Sequence, residues 1–349
     1  MTSAQNQHHY LLTDLLKGVS RSFYLTIRIL PKSVRDPIAT AYLLARAADT
    51  IADKSTLPHS TRLSHLKTIR ASLDAADSSA GHLEDLKLDA GSLADAREAE
   101  LLEALPRLFR LLENLPQDDR QNVRKVVTTL THGMEMDLTT FPNDDSGSIG
   151  ALHTLNDLDQ YTYQVAGCVG EFWTDVMMAH TDTLHVWDRE RMVALGIRFG
   201  KALQMTNILR DVPKDLRIGR CYLPREELDL IGLVPEDLLP SLSTATARPL
   251  LVKLTRQMLD HYAAAEQYIF ATPRQNFRLR LAMIWPVLIG LATLSLVTRN
   301  PDWLDPDRPS KVSRPWIYWM MFRSVPCAWS NTLFKFWVRR LRAGVEKAL

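Results

Sequence analysis

Asp49 and Asp53 stand four residues apart, and Asp211 and Asp215 repeat the interval. An α-helix brings residues at that interval to one side, so each pair sets two carboxylates side by side. Gln204, Asn207, Asp211 and Asp215 fall at roughly 0°, −60°, −20° and +20° around one helix axis. Tyr42, Arg46, Asp49 and Asp53 repeat the pattern at i, i+4, i+7 and i+11, and most other positions of AYLLARAADTIAD are Ala, Leu or Ile. Carboxylates so placed on an apolar helix repel one another and lose hydration, so a cation is expected between them. Hard oxygen donors with room for water suit Mg²⁺, which takes one or two carboxylates together with substrate phosphate oxygens. One such pair alone would read as a solvated acidic face. Two, each with Arg or Asn in register, make Asp49, Asp53, Asp211 and Asp215 candidate metal ligands.

These residues need long helices beneath them, and the chain supplies helical patterns. Residues 11–30 have helical periodicity interrupted at VSRSF, and Pro31 opens the element that carries the first acid pair. Residues 101–115, 123–138, 161–178, 185–211 and 250–271 are further helix candidates. Residues 74–98 are rich in Asp, Ala, Ser and Gly and read as a surface excursion, and FPNDDSGSIG (141–150) breaks the helical pattern. There is no G-x-G-x-x-G, no Walker A, no internal repeat and no run of alternating β-branched residues. The expected fold is therefore all-α, helices packed on helices around one cavity.

Hydrophobic residues make up 46% of the 349, enough for a large core, and a net charge of +2 gives no field that would favour nucleic acid. Cys168, Cys221 and Cys327 lack metal-ligand spacing and point to a reduced intracellular protein. The N-terminus has no basic segment followed by an apolar one, so a cytoplasmic location without a secretory signal is expected. The longest uncharged run begins at residue 281, and its 17 residues 281–297, which include Pro286 and Gly290, are at the short limit for a membrane span. A buried helix is expected there.

Five segments in order, SRSFYL (20–25), AYLLARAADTIAD (41–53), YTYQVAGCVGEFW (161–173), QMTNILRDVPKD (204–215) and GRCYLP (219–224), resemble the successive motifs of the squalene and phytoene synthase family. The resemblance reaches to about residue 300. It implies a single-domain isoprenoid-synthase-type bundle over residues 1–315 and head-to-head condensation of two farnesyl diphosphates to presqualene diphosphate. Ionising the substrate requires a neutralised leaving group, which Mg²⁺ held by the four aspartates supplies as Lewis acid and template. Arg21, Arg46, Arg210 and Arg220 would clamp phosphate oxygens, Ser20 and Ser22 would donate to them, and Gln204 and Asn207 complete the set. Tyr42 and Tyr161 match the family's active-site tyrosines, whose rings stabilise positive charge while a hydroxyl helps move a proton. Without the motifs each would read as a core tyrosine. Val165 and Val169 would line the channel for the apolar tail, and Gly167 and Gly170 would permit close helix approach. Ala52 and Lys214 stand where squalene synthases commonly carry a further carboxylate. Lys214 sets a like charge beside the metal unless it points away or contacts phosphate.

The resemblance implies one of two continuations. Squalene-type members reduce presqualene diphosphate with NADPH, whereas dehydrosqualene, phytoene and hydroxysqualene types do not. Non-catalytic assembly proteins also occur in the family, but they tend to lose the acidic motifs kept here. Squalene types place basic residues after the late apolar helix, and Lys311 and Arg314 resemble that loop with altered spacing. With Arg21, Arg46 and Arg210 they are the expected contacts to NADPH phosphates. The SRSF form, the length and the tail favour the squalene type.

From Pro315 onward come four of the eight tryptophans and six basic residues against one acid. That is the composition of an interfacial helix, so residues 316–349 are expected to lie peripherally at the inner face of a membrane. A helix pair packed on the core with its tryptophans inward is the alternative, and the two can coexist.

Overall fold

A computed structural model describes residues 8–20, 23–53, 57–74, 95–141, 148–239 and 243–349. Most of segment 74–98, together with Arg21 and Ser22, lies outside the described residues. The architecture is all-α, as the periodicity predicts. Among the described residues the strands are limited to β1 (Gly150–Ala151) and β2 (Arg220–Cys221), paired in parallel. The chain clusters into two compact units, Met1–Thr139 with Phe172–His185, and Thr140–Glu171 with Val186–Leu349.

In the first unit a π-helical turn, Leu11–Leu15, runs into α1 (Leu16–Ser20). Then follow α2 (Phe23–Ile29), α3 (Lys32–Ala52), α4 (His59–Asp74), α5 (Ala96–Glu103), α6 (Leu105–Glu113) and α7 (Gln117–Thr140). Pro31, extended at φ −55° and ψ 148°, sits at the N-cap of α3, where its fixed φ and missing N–H carry no penalty. Val34, Ile38, Leu44, Ala48 and Ile51 bury the inner face of α3, and α6 packs against it with Leu105, Leu108 and Leu112 buried. The acidic stripe is the face left over.

The second unit contains α8 (Leu155–Thr162), a π-helical turn at Tyr163–Gly167, and the start of α9 (Cys168–His180). It continues with α10 (Arg189–Asp215), α11 (Arg225–Asp229), α12 (Thr244–Ala271), α13 (Phe277–Arg299), α14 (Arg314–Arg323) and α15 (Asn331–Glu346). Thr154 caps α8 with a reciprocal capping box to Asp157, and Asp188 caps α10. Helix α10 packs along α12, and their buried hydroxyls meet, Thr206 Oγ1 and Tyr262 Oη being 2.7 Å apart.

Helix α13 covers the apolar run. Its most apolar window has mean hydropathy 2.0, enough to cross a membrane by length and composition, yet 83% of that window is buried within the protein. Arg280, fully buried, donates to the carbonyls of Ile269 and Thr272 at 2.6 Å each, satisfying the end of α12, and to Asn331 Oδ1 at 2.6 Å at the start of α15. Burial lowers its pKa to about 10, so it remains a cation at neutral pH. Residues 316–349 form α14 and α15, which pack on α13 and bury Met320, Phe334, Val338 and Val345.

Candidate active site

Tyr42, Arg46, Asp49 and Asp53 share one face of α3, as their spacing predicts. Arg46 is held between two acids, donating to Asp49 and, at 2.6 Å, to Glu98 Oε1 on α5. Desolvation and then the neighbouring Asp53 push the Asp49 carboxyl up to about 6, while Arg46 pulls it back. The side chain keeps 40% of its surface exposed, so water still screens the pair. Burial works against the charge of Arg46, but Asp49 and Glu98 outweigh it and its pKa rises. The Tyr42 ring stacks on Phe23 with centroids 5.3 Å apart, and its hydroxyl donates to the Val19 carbonyl at 3.4 Å. Ser20 is buried, and its hydroxyl donates to the Leu16 carbonyl at 2.5 Å, so this donor is engaged within its own helix.

In the second unit the other acid pair lies near the end of α10. Burial and then Asp211 raise the Asp215 carboxyl to about 7, against the opposing fields of Arg220, Arg210 and Lys214. Arg210 forks onto Asp211, with Nε 2.9 Å from Oδ1 and a second bond from Nη2 to Oδ2. After α10 the chain turns through Leu216–Ile218 and Gly219, whose φ of 78° is left-handed and suits glycine. That turn leads directly into β2, where Arg220 exerts the largest of the three cationic fields on Asp215. Lys214 is exposed, so the sequence departure there turns toward solvent. Gln204 Oε1 lies 3.5 Å from Asn207 Nδ2, and Asn207 is exposed.

Tyr161, at the end of α8, is 4% exposed and stacks on Tyr222 with centroids 4.9 Å apart; Tyr222 meets Phe141 edge-on at 5.1 Å. Val165 and Val169, in the π turn and the start of α9, are half-buried. This stretch presses closely on α10. A methyl on Gly170 would overlap the Gly196 carbonyl, and one on Gly200 would overlap the Ala166 carbonyl. Lys311, just before α14, and Arg314, its first residue, are both exposed.

Tyr222, Glu98, Gly196 and Gly200 were not singled out by type and spacing. Tyr222 lies inside GRCYLP, and Gly196 and Gly200 stand at i,i+4 in GIRFG, a small-residue spacing that could have marked the crossing. Glu98 carries no local signal, because its partner Arg46 is on another helix.

Each acid pair holds one carboxyl whose charge is resisted by burial and by its neighbour, and a divalent cation would relieve that resistance. Among the described residues no group of three or more His, Cys, Asp or Glu side chains is placed to hold a metal. Each pair supplies two carboxylates, oxygen donors of the kind that Mg²⁺ would accept together with water and phosphate oxygens.

Residues 16–316 match the family described as squalene/phytoene synthase. A presqualene diphosphate synthase from Zymomonas mobilis is 29% identical over 315 residues, covering 87% of this chain and 89% of that protein. A squalene synthase from Saccharomyces cerevisiae is 25% identical over 342 residues, covering 97% of this chain and 72% of its own length. The solved structure of TcSQS with the ligand BPH1237 superposes with a TM-score of 0.75 at 22% identity, over 98% of both chains, a likeness of fold.

Proposed function

This chain belongs to the squalene/phytoene synthase family of head-to-head prenyl-transferring enzymes, and we propose that it condenses two farnesyl diphosphates to presqualene diphosphate and reduces that intermediate to squalene with NADPH. The observation that carries the reading is the crowded carboxylate pair on each of α3 and α10, with an arginine bound to Asp49 in one and to Asp211 in the other. Asp49 with Asp53, and Asp211 with Asp215, would hold Mg²⁺. When bound, the metal supplies charge to the departing diphosphate.

Arg46, Arg210 and Arg220 orient phosphate oxygens; the ion pairs of Arg46 with Asp49 and Arg210 with Asp211, and the field of Arg220 on Asp215, keep the carboxylates from repelling the incoming anion. Cleavage of the first C–O bond sends its electron pair to diphosphate. The allylic cation is then attacked by the double bond of the second substrate, and loss of a proton closes the cyclopropane. Tyr161, held by Tyr222, offers a π face to the cation and a hydroxyl to the proton. Tyr42 has the same two groups on α3. Apolar surface, including Val165 and Val169, keeps water from quenching the cation. For the reductive half, in which hydride replaces the second diphosphate, Lys311 and Arg314 are exposed cations suited to cofactor phosphates.

A second reading is favoured by the Zymomonas relative, which covers nearly the whole chain and whose name ends at presqualene diphosphate. Incubating the protein with farnesyl diphosphate and Mg²⁺, with and without NADPH, separates the two. Squalene formed only with NADPH supports the full reaction. The same product with or without NADPH removes the reductive half.

A further inference from the structure

Helices α14 and α15 carry an apolar surface that their packing does not use. While Met320, Phe334 and Val338 face inward, Trp319 is 52% exposed, Phe322 78%, Leu333 48% and Phe336 68%. Single exposed apolar residues are ordinary, but a contiguous set is not. These four line one open groove of about 1140 Å³. Its charged lining is of one sign: Arg299, Arg323 and Arg340, with no acid among the lining residues. Arg323 lies over the Trp319 ring at 5.6 Å from its centroid. Ser313 and Ser330 cap the two helices, so the groove is mounted on well-formed elements. From Pro315 onward six basic residues against one acid give +5, while the whole chain carries +2, so everything before it is net −3.

We propose that this face docks on an anionic lipid bilayer, its rings entering the headgroup boundary and its arginines meeting lipid phosphates. Cations set among Trp and Phe are the complement of such a surface. A second copy of the chain is a poorer occupant, because two-fold pairing would set +5 against +5 across the apolar seam. Among the described residues the helix long and apolar enough to span a membrane, α13, is mostly buried, so the contact is peripheral. This inference does not depend on the catalytic reading.

The test is flotation of the full chain with vesicles of phosphatidylcholine alone or mixed with phosphatidylglycerol, at low and high salt. It uses the wild type, a Phe322→Ser/Phe336→Ser variant and an Arg323→Gln/Arg340→Gln variant. All four side chains are exposed, so melting temperature should not change in either variant. The wild type is expected to float with phosphatidylglycerol vesicles in a salt-sensitive manner. Each double variant should bind on the order of tenfold more weakly. Failure of the wild type to float, or undiminished flotation of either variant, would overturn the proposal. So would a wild-type dimer in sedimentation equilibrium that the phenylalanine variant dissociates, since the groove would then hold a second copy.

Discussion

A buried tyrosine on an apolar helix ordinarily serves packing, with its ring in the core and its hydroxyl satisfied. Tyr161 shares that burial, and its ring is held flat against Tyr222 at an interplanar angle of 25°. Tyr161→Phe keeps the ring and its stacking and removes only the hydroxyl. Its melting temperature should stay close to wild type, while turnover of farnesyl diphosphate should fall on the order of 10²-fold, the usual contribution of a placed acid or base. Unchanged turnover would reduce Tyr161 to a packing residue. At this scale the acid pairs were legible because i,i+4 spacing is local, and so was their crowding, since each carboxylate's nearest like charge is one turn away. Tyr222 and Glu98 were not, because each acquires its place from a residue far along the chain. Ser20 shows the opposite limit: its type suggests a donor for substrate, but only the fold reveals that its hydroxyl is engaged by Leu16.

Among the elements, the crossing of α9 and the preceding π turn over α10 leaves little room for change. Gly170→Ala would drive a methyl into the Gly196 carbonyl, backbone against backbone, where no side chain can give way. A loss of roughly 2–3 kcal/mol in urea unfolding is expected, with activity falling in step. Helices α12 and α15 are joined by Glu266 and Arg342, 3.2 Å apart. Burial raises the Glu266 pKa, and Arg342 only partly offsets it. A raised folded-state value means that the stability contribution is fully present below the ordinary glutamate range and is lost as pH rises through the folded value. Glu266→Gln should therefore match the wild type in melting temperature at pH 4 and equal or exceed it at pH 8; a variant less stable at pH 8 would contradict this. Most helices were legible from apolar periodicity, and the start of α3 from Pro31. The π turn at Tyr163–Gly167 was not, because a single turn bonded i→i+5 carries no residue signature of its own in YQVAG.

At the scale of the whole molecule, the charge is divided unevenly: the chain up to Pro315 is net acidic, and the last two helices are strongly basic. Composition displays that asymmetry without any structure. The grouping of Phe172–His185 with the N-terminal helices was hidden, because it depends on long-range contacts such as His180 Nε2 to the buried Asp119 at 2.8 Å. Each compact unit carries one acid pair on a long helix, and in the proposed reaction both pairs serve the departure of diphosphate. The most direct test is diphosphate release from farnesyl diphosphate at limiting Mg²⁺, comparing the wild type with Asp49→Asn and Asp211→Asn, alongside helix content and melting temperature. Release is expected to slow on the order of 10²-fold or more in each variant, with helix content kept and thermal stability held or raised, because one charge has left a crowded pair. Release at the wild-type rate in either variant would contradict that role of the pairs.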